Sequence, residues 1–307
     1  MTDYNYTYNC FFTDITSNCN LRCKFCSNDW ANIKHGNINM NYGTFKKLTE
    51  LMPLATDGEF FLSCRYEPTI HPNFIELIEM IPKELKPKTI LTTNLAKKMS
   101  IETIERLADS NLGYINISLD TFNCKLLENI RPNINYDNFD WNINNIFEIF
   151  DNNENAPKLR YITMVFKQNL CEIPNIIMYC ATEFLATRHE LRLPFKFSKL
   201  YGDKAWWDNS LVTQKEWESL KEQLADSPYS VEFFNPDDEA IDFGIPDQPI
   251  KNYLTFFINS DGTVLSPCEG SLDLPEEFRY NFNLNDIDNV YEYFNQFRAK
   301  ENDNNEL

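Results

Sequence analysis

Short apolar runs alternate with helical patterns through residues 11–197, and this alternation restricts the fold more than any other feature of the sequence. The runs are rich in β-branched and aromatic residues, as strands are. Between them, apolar residues return at the spacing of one helix face, as at Phe74, Leu77, Ile78 and Ile81. The pattern predicts a parallel sheet whose strands are joined by right-handed crossovers. The predicted strands are Phe11–Thr16, Phe60–Ser63, Thr89–Thr93, Tyr114–Leu119, Leu159–Phe166 and Glu190–Phe197.

Six strand–helix units limit the fold class. They are too few for a complete eight-stranded barrel, which leaves a partial (β/α)6 TIM-type barrel or a doubly wound sheet, both α/β. In either fold the active site lies at the carboxyl ends of the strands. The alternation stops near Tyr201, and a helix, a hairpin with its turn at residues 260–262 and a last helix follow. We therefore predict a core domain over residues 1–200 and a small α+β extension over residues 201–307.

Charge and cysteine content exclude several classes of protein. A formal charge of −18 leaves no basic surface of the kind that nucleic acid requires. No stretch reaches the roughly 18–20 apolar residues that span a bilayer, and residues 1–9 lack the features of a signal peptide. We therefore expect a cytoplasmic protein that binds neither nucleic acid nor membrane. In a reducing compartment its nine cysteines are not a disulfide framework.

Cys19, Cys23 and Cys26 follow the first predicted strand in a C-x3-C-x2-C arrangement. Three thiolates at this spacing can converge on one metal centre. A structural zinc site needs four ligands, commonly in two separated pairs. The sequence offers no second cysteine pair, so zinc would have to recruit His35. Three ligands suit a 4Fe–4S cluster with one iron left open, and the spacing favours that cluster.

The three-cysteine motif, placed after a first strand, resembles that of the radical S-adenosylmethionine (SAM) superfamily. In that family the open iron binds the amino and carboxylate groups of SAM, and an electron from the cluster cleaves SAM to a 5′-deoxyadenosyl radical. The resemblance covers residues 11–197 and implies the partial barrel. It also implies one 4Fe–4S cluster and SAM as cofactors, and an electron donor such as flavodoxin or ferredoxin.

Further positions match the SAM pocket of the family. Phe25 occupies the aromatic position that lies near adenine. The segment after the second strand resembles the Gly-Gly-Glu-Pro turn that contacts the SAM amino group. Glu67 and Pro68 match this turn, whereas Arg65 and Tyr66 replace the glycines, which alters how closely the backbone can approach SAM.

The ends of the next strands complete the implied pocket. Ser118 and Asp120 end the fourth strand as the ribose-binding segment of the family does. Arg131 falls where relatives often hold the SAM carboxylate, although an ordinary surface arginine explains it nearly as well. Asn94 and Asn169 follow the third and fifth strands, near the expected pocket.

The C-terminal segment resembles a SPASM or twitch extension, in which extra cysteines bind auxiliary iron–sulfur clusters. Only Cys268 remains after Cys180, and one cysteine cannot hold a cluster, so we predict a degenerate extension without one. Cys268 is then a candidate hydrogen-atom donor to a substrate radical, as a thiol is in related epimerases. Cys64, beside the SAM turn, is the competing candidate donor. A buried apolar thiol is the simpler interpretation of Cys268.

These features predict a radical SAM enzyme that abstracts hydrogen from an unknown biosynthetic intermediate. We slightly favour a small-molecule or carbohydrate-type substrate, because we expect no peptide-recognition segment ahead of the core. Arg192, Lys196 and Lys199, near the end of the sixth strand, suit an anionic substrate, although solvated positions explain them as well. The first alternative is a peptide-modifying maturase or epimerase. The second is a non-catalytic iron–sulfur electron-transfer or sensor protein, which would not need the SAM-pocket residues.

Overall fold

The fold is taken from a computed structural model, which describes residues 10–26, 36–54, 59–63, 65–195, 203–235, 255–265 and 281–293. Five residues that carry functional hypotheses above lie outside these ranges, and the hypotheses about them stay predictions. They are His35, Cys64, Lys196, Lys199 and Cys268.

A ten-stranded sheet organises the described part of the chain, in the order β10-β9-β8-β1-β2-β3-β4-β5-β6-β7. Strands β1 to β6 pair in parallel and in chain order, which confirms the predicted α/β fold. Each of the six predicted strands overlaps one of them, but the sixth begins at Ala186 and ends at Arg192, and residues 196–197 of its predicted range lie outside the described residues. The strands are β1 Cys10–Thr13, β2 Glu59–Leu62, β3 Thr89–Thr93, β4 Tyr114–Ser118, β5 Lys158–Met164, β6 Ala186–Arg192, β7 Val231–Phe234, β8 Thr255–Ile258, β9 Thr263–Leu265 and β10 Asn281–Asn283.

Helices connect the strands, and the helix predicted from Phe74 onward is confirmed as α2. The last complete helix, α8, begins with a capping box in which Thr213 and Glu216 each bond the backbone of the other. No helix among the described residues is long and apolar enough to cross a membrane. The helices are α1 Tyr42–Leu51, α2 Phe74–Met80, α3 Ile101–Ala108, α4 Cys124–Ile130, α5 Tyr136–Phe150, α6 Ile173–Glu183, α7 Lys204–Ser210 and α8 Gln214–Leu224.

The two faces of the sheet differ in chemistry. On β4, Ile115 and Ile117 are fully buried in the main core, which the strands form with helices α1, α2, α3, α5 and α6. Asn116 and Ser118 point the opposite way, because side chains alternate along a strand. Asn116 is aligned with Arg160 on β5, so polar residues extend across this inner face of the partial barrel.

The C-terminal segments add strands to both edges of the sheet. Strand β7 pairs in parallel with β6, and β8 pairs in parallel with β1. The predicted hairpin is confirmed as β8 and β9, with Gly262 at φ +89° in its turn. Strand β7 was not predicted, because its four residues lie in an acidic segment that follows the last clear alternation. The division after residue 200 stays a prediction, since these strands continue the sheet of the core.

Candidate active site

The segment Cys19–Cys26, the cluster loop, lies at the carboxyl end of β1 and is held by backbone hydrogen bonds to the end of α4. The amides of Arg22 and Lys24 donate to the carbonyls of Pro132 and Ile130, each at 3.0 Å. The three cysteines of the loop are free thiols that retain some surface exposure. The loop therefore presents three thiols at the edge of the sheet where parallel α/β folds place their active sites.

Burial makes the thiols of Cys19 and Cys23 hard to ionise without a compensating cation. Burial raises the pKa of Cys19 to about 12, and the nearby Glu67 carboxylate contributes to this rise. Burial also raises the pKa of Cys23, against the opposing effect of the Arg131 guanidinium. Metal ligation requires thiolates, and a bound metal supplies the positive charge that ionises them. The donor set therefore fits a cationic iron centre.

The described side chains do not form a site for a single metal ion. Within the described ranges, no three His, Cys, Asp or Glu side chains are grouped so as to hold one metal ion. A 4Fe–4S cube takes one thiolate at each ligated iron, so its cysteines do not have to meet at one point. The zinc alternative stays untested, because His35 is not among the described residues.

Glu67 lies buried at the start of the short 3-10 helix Pro68–Ile70, and its carboxylate accepts four hydrogen bonds. Oε1 accepts from the Thr69 amide at 3.1 Å and from the hydroxyls of Thr69 and Thr93 at 2.7 Å each. Oε2 accepts from the Asn94 amide at 2.7 Å. Burial raises the pKa of Glu67, although these hydrogen bonds act to lower it. The carboxylate therefore joins the turn after β2 to the end of β3, and its contact with SAM stays a prediction.

Asn94 contacts the cluster loop directly. Its Nδ2 lies 3.8 Å from the Cys19 sulfur and donates to Oδ1 of Asn20 at 3.1 Å. Its Oδ1 accepts from the Ala96 amide at 2.8 Å, which fixes the orientation of the side chain. Hydrogen bonds to the sulfur ligands help to set the reduction potential of an iron–sulfur cluster. Asn94 is therefore placed to act on a cluster ligand, and its contact with SAM stays a prediction.

Asp120 and Arg131 form a buried ion pair beside the cluster loop. Nε and Nη2 of Arg131 donate to the two oxygens of Asp120 at 2.7 and 3.1 Å. The two side chains are 0% and 7% exposed, so the interpretation of Arg131 as a surface residue is wrong. Nη1 of Arg131 lies 3.9 Å from the Cys23 sulfur. Asp120 also accepts from the Met164 amide at 3.0 Å, so its predicted contact with ribose would have to form beside these bonds.

Asn169 is fully buried and holds the loop after β5. Its Nδ2 donates to the carbonyls of Asp120 at 2.8 Å and Met164 at 2.9 Å, and its Oδ1 accepts from the Phe166 amide at 2.8 Å. Ser118, in contrast, is half-buried on the inner face, and its hydroxyl makes no hydrogen bond with another described residue. Ser118 is therefore freer to bind a ligand than Asn169. The predicted SAM contacts of both residues stay predictions.

Phe25 belongs to a cluster of aromatic rings that sequence reasoning missed. Its ring lies 5.5 Å from that of Phe166, which lies 5.2 Å from that of Trp206 on α7. The Arg131 guanidinium lies 5.2 Å from the Phe25 ring on the cluster loop. Residues of α7, from the predicted extension, thus support the predicted adenine-binding position. The Trp206–Trp207 pair in the sequence was the available signal.

Three charged residues on the inner face were also missed as a group: Arg160, Glu190 and Arg192, the inner-face triad. Nη1 of Arg160 lies 3.4 Å from one oxygen of Glu190, and Nε of Arg192 donates to the other. Arg160 also donates to Oδ1 of Asn116 at 2.9 Å. Two guanidinium groups share one carboxylate, so the triad has an excess of positive charge. The charged residues at alternate positions of β6 were the signal for it.

The comparison with known families decides the identity of the fold and its cofactors. The family profile described as "Radical SAM superfamily" matches residues 13–180, more than half of the 307 residues. This chain belongs to the radical SAM superfamily. A protein of Methanocaldococcus jannaschii named "Probable GTP 3',8-cyclase" is 25% identical over 238 residues, which cover 74% of this chain and 76% of that protein. The "Tungsten-containing aldehyde ferredoxin oxidoreductase cofactor-modifying protein" of Pyrococcus furiosus is 27% identical over 116 residues, 36% of this chain and 30% of that protein.

Solved structures of radical SAM proteins share the fold. The crystal structure of Streptococcus suis SuiB bound to S-adenosylmethionine aligns with a TM-score of 0.59 at 20% identity, over 94% of this chain. This chain spans 65% of the SuiB chain. The structure of anSMEcpe with bound AdoMet also aligns with a TM-score of 0.59, at 15% identity, over 92% of this chain and 77% of that one. At these identities the likeness shows the fold alone.

This radical SAM enzyme uses a 4Fe–4S cluster and SAM, so the non-catalytic alternative is not retained. When bound, the cluster supplies the electron that cleaves SAM to a 5′-deoxyadenosyl radical. The residues that would hold it are Cys19, Cys23 and Cys26. Asn94 and Arg131 place N–H donors beside the sulfurs of Cys19 and Cys23, which stabilises thiolate charge.

Proposed function

We propose that this enzyme abstracts a hydrogen atom from a small anionic biosynthetic intermediate bound on the inner face of the barrel. The observation that carries the proposal is the inner-face triad, in which Arg160 and Arg192 share the single carboxylate of Glu190. The Arg192 side chain is 35% exposed, so it remains partly accessible to a ligand. Guanidinium groups bind phosphate and carboxylate groups through paired hydrogen bonds.

The triad lies at the level of the sheet where the SAM ribose is expected. Ser118 on β4 is aligned with Ile162 on β5, which is aligned with Glu190 on β6. Neighbouring strands are about 4.8 Å apart, so the triad lies about 10 Å across the inner face from Ser118. An intermediate of nucleotide or sugar-phosphate size can span that distance, with its anionic group on Arg192 and its reacting carbon near SAM.

The printed name of one relative supports this substrate class. The M. jannaschii relative is named for a reaction of GTP, a phosphorylated small molecule, and its match covers 74% of this chain. At 25% identity the name does not transfer to this enzyme, but it makes GTP a reasonable first probe. Tight binding of a leader peptide would instead favour the peptide-modifying alternative.

Anaerobic reconstitution followed by a 5′-deoxyadenosine assay tests the proposal. With dithionite we expect SAM cleavage, and we expect it to be faster with an anionic substrate, tested first with GTP and then with sugar phosphates and their neutral sugars. Arg192→Gln should raise the KM for the anionic substrate. Arg188→Gln is the matched control, because Arg188 lies on the same strand in an exposed pair with Glu232. SAM left uncleaved, or equal effects of the two substitutions, would contradict the proposal.

The remaining sequence hypotheses stay predictions. The hydrogen-donor role of Cys64 or Cys268 is tested by replacing each with Ala and measuring deuterium incorporation from solvent into product. An unchanged product with unchanged deuterium content in both variants would exclude both thiols. The flavodoxin-type or ferredoxin-type electron donor, the single cluster and the cytoplasmic location also await tests of their own.

A further inference from the structure

Arg65 ties the turn after β2, of which Ser63 and residues 65–67 are described, to the ends of two neighbouring strands. Asp14, directly after β1, accepts from the Arg65 backbone amide at 2.9 Å and from its Nε at 3.1 Å. Nη2 of the same guanidinium donates to the side-chain oxygen of Asn259, directly after β8. The sheet places β8, β1 and β2 side by side, so one arginine joins all three strands at their carboxyl ends.

The turn that Arg65 holds has an unfavourable backbone. Ser63 has φ +96°, in the left-handed region that favours glycine, and its hydroxyl donates to the Tyr66 carbonyl. Asp14 also accepts from the Tyr66 amide at 3.3 Å. A backbone of this kind persists only where its surroundings fix it. Two sets of hydrogen bonds help to fix it: those that Asp14 accepts from the turn, and those that the Arg65 guanidinium donates to Asp14 and Asn259.

We propose that Arg65 is a positioning residue through which the β8–β9 hairpin holds the turn in the shape that binds SAM. The inference rests on the proposed SAM-dependent function and on the predicted contact between this turn and SAM. Coupling between two sites is reciprocal. Detaching Asn259 from Arg65 therefore weakens SAM binding, and bound SAM slows the local opening of β8. The loss is partial, because Asp14 keeps its bonds to the backbone of the turn.

Asn259→Ala in the reconstituted enzyme tests the inference without changing the turn itself. We expect SAM affinity, measured by equilibrium dialysis, to fall about tenfold, as for the loss of one hydrogen bond to a charged group. Amide hydrogen exchange of Thr255–Ile258 should slow when SAM is added to the wild type, and less so in the variant. Arg65→Lys keeps the charge but lacks the planar guanidinium that bridges Asp14 and Asn259. It should therefore show the same loss of SAM affinity as Asn259→Ala.

Asn283→Ala is the matched control. Asn283 belongs to β10, next to this hairpin, and donates to the Asp261 carbonyl at 3.1 Å. It should lower stability without changing SAM affinity. Equal losses of affinity in both Asn variants would show a general structural effect and overturn the inference. If the wild type binds SAM and Asn259→Ala binds it equally well, the inference is overturned but the proposed function is not. If the wild-type enzyme binds no SAM, the proposed function is overturned as well.

Discussion

Replacing Asp120 by Asn isolates the charge of the ion pair beside the cluster loop. The substitution keeps the shape of the side chain, but it leaves the Arg131 guanidinium buried without its counter-ion. Arg131 cannot escape by deprotonation, because guanidinium groups stay charged in proteins. Breaking a buried pair in this way costs about 3–5 kcal/mol of unfolding free energy. We therefore expect a loss of this size in the metal-free protein.

The exposed pair of Arg106 and Glu79 provides the matched control. It has the same two-point geometry, with Nε and Nη2 of Arg106 at 2.8 and 2.7 Å from the Glu79 oxygens. Its side chains are 32% and 46% exposed, against 7% and 0% in the buried pair. Water can solvate either partner after the other is removed, and Arg106 keeps its ion pair with Glu76 at 3.2 Å, so Glu79→Gln should cost only a small fraction of the loss in Asp120→Asn.

Urea unfolding of the two variants, followed by circular dichroism under anaerobic conditions, measures the difference. The double variant Asp120→Asn/Arg131→Met should recover most of the loss, because it removes the unpaired charge and leaves an apolar side chain. Equal losses in Asp120→Asn and Glu79→Gln, or additive losses in the double variant, would refute the reasoning. Either result would mean that burial does not determine the contribution of the pair.

Two further predictions concern stability alone. Burial lowers the pKa of His189 to about 3, so the unfolded chain binds a proton below pH 6.5 that the folded protein does not. The free energy of unfolding is therefore unaffected by protonation of this histidine above pH 6.5. It falls by up to about 1.4 kcal/mol per pH unit as the pH drops from 6.5 towards the pKa of the folded state. His189→Leu should flatten this pH dependence, measured by urea unfolding at a series of pH values. Gly113→Ala should destabilise by about 1–3 kcal/mol, since its Cβ would lie 2.2 Å from the Pro87 carbonyl oxygen. Gly43→Ala, whose nearest contact is 3.1 Å from a side-chain oxygen, should change the melting temperature little.

The strands of the core could be predicted because each has a local signal. Thr89–Thr93 was predicted with the bounds that the structure gives to β3, since its residues form a continuous apolar and β-branched run. The β8–β9 hairpin was found through its turn glycine, Gly262. Strand β7 has no such signal, because Val231–Phe234 is short and its place in the sheet depends on pairing with β6. Pairing between segments that are far apart in the sequence cannot be predicted from a local pattern of residues.

The site shows the same division between local and distant signals. The cysteine spacing located the cluster loop, because three ligands of one loop must be near each other in sequence. The place of Asp120 after the fourth predicted strand marked it as a site residue, but its partner could not be predicted. The Asp120 carboxylate pairs with Arg131, whose position depends on α4. The link from Arg65 to Asn259 spans 194 residues, so only the fold brings these two side chains together. Sequence therefore locates the cluster loop, whereas the hydrogen-bond partners of the residues around it follow from how strand ends and loops meet.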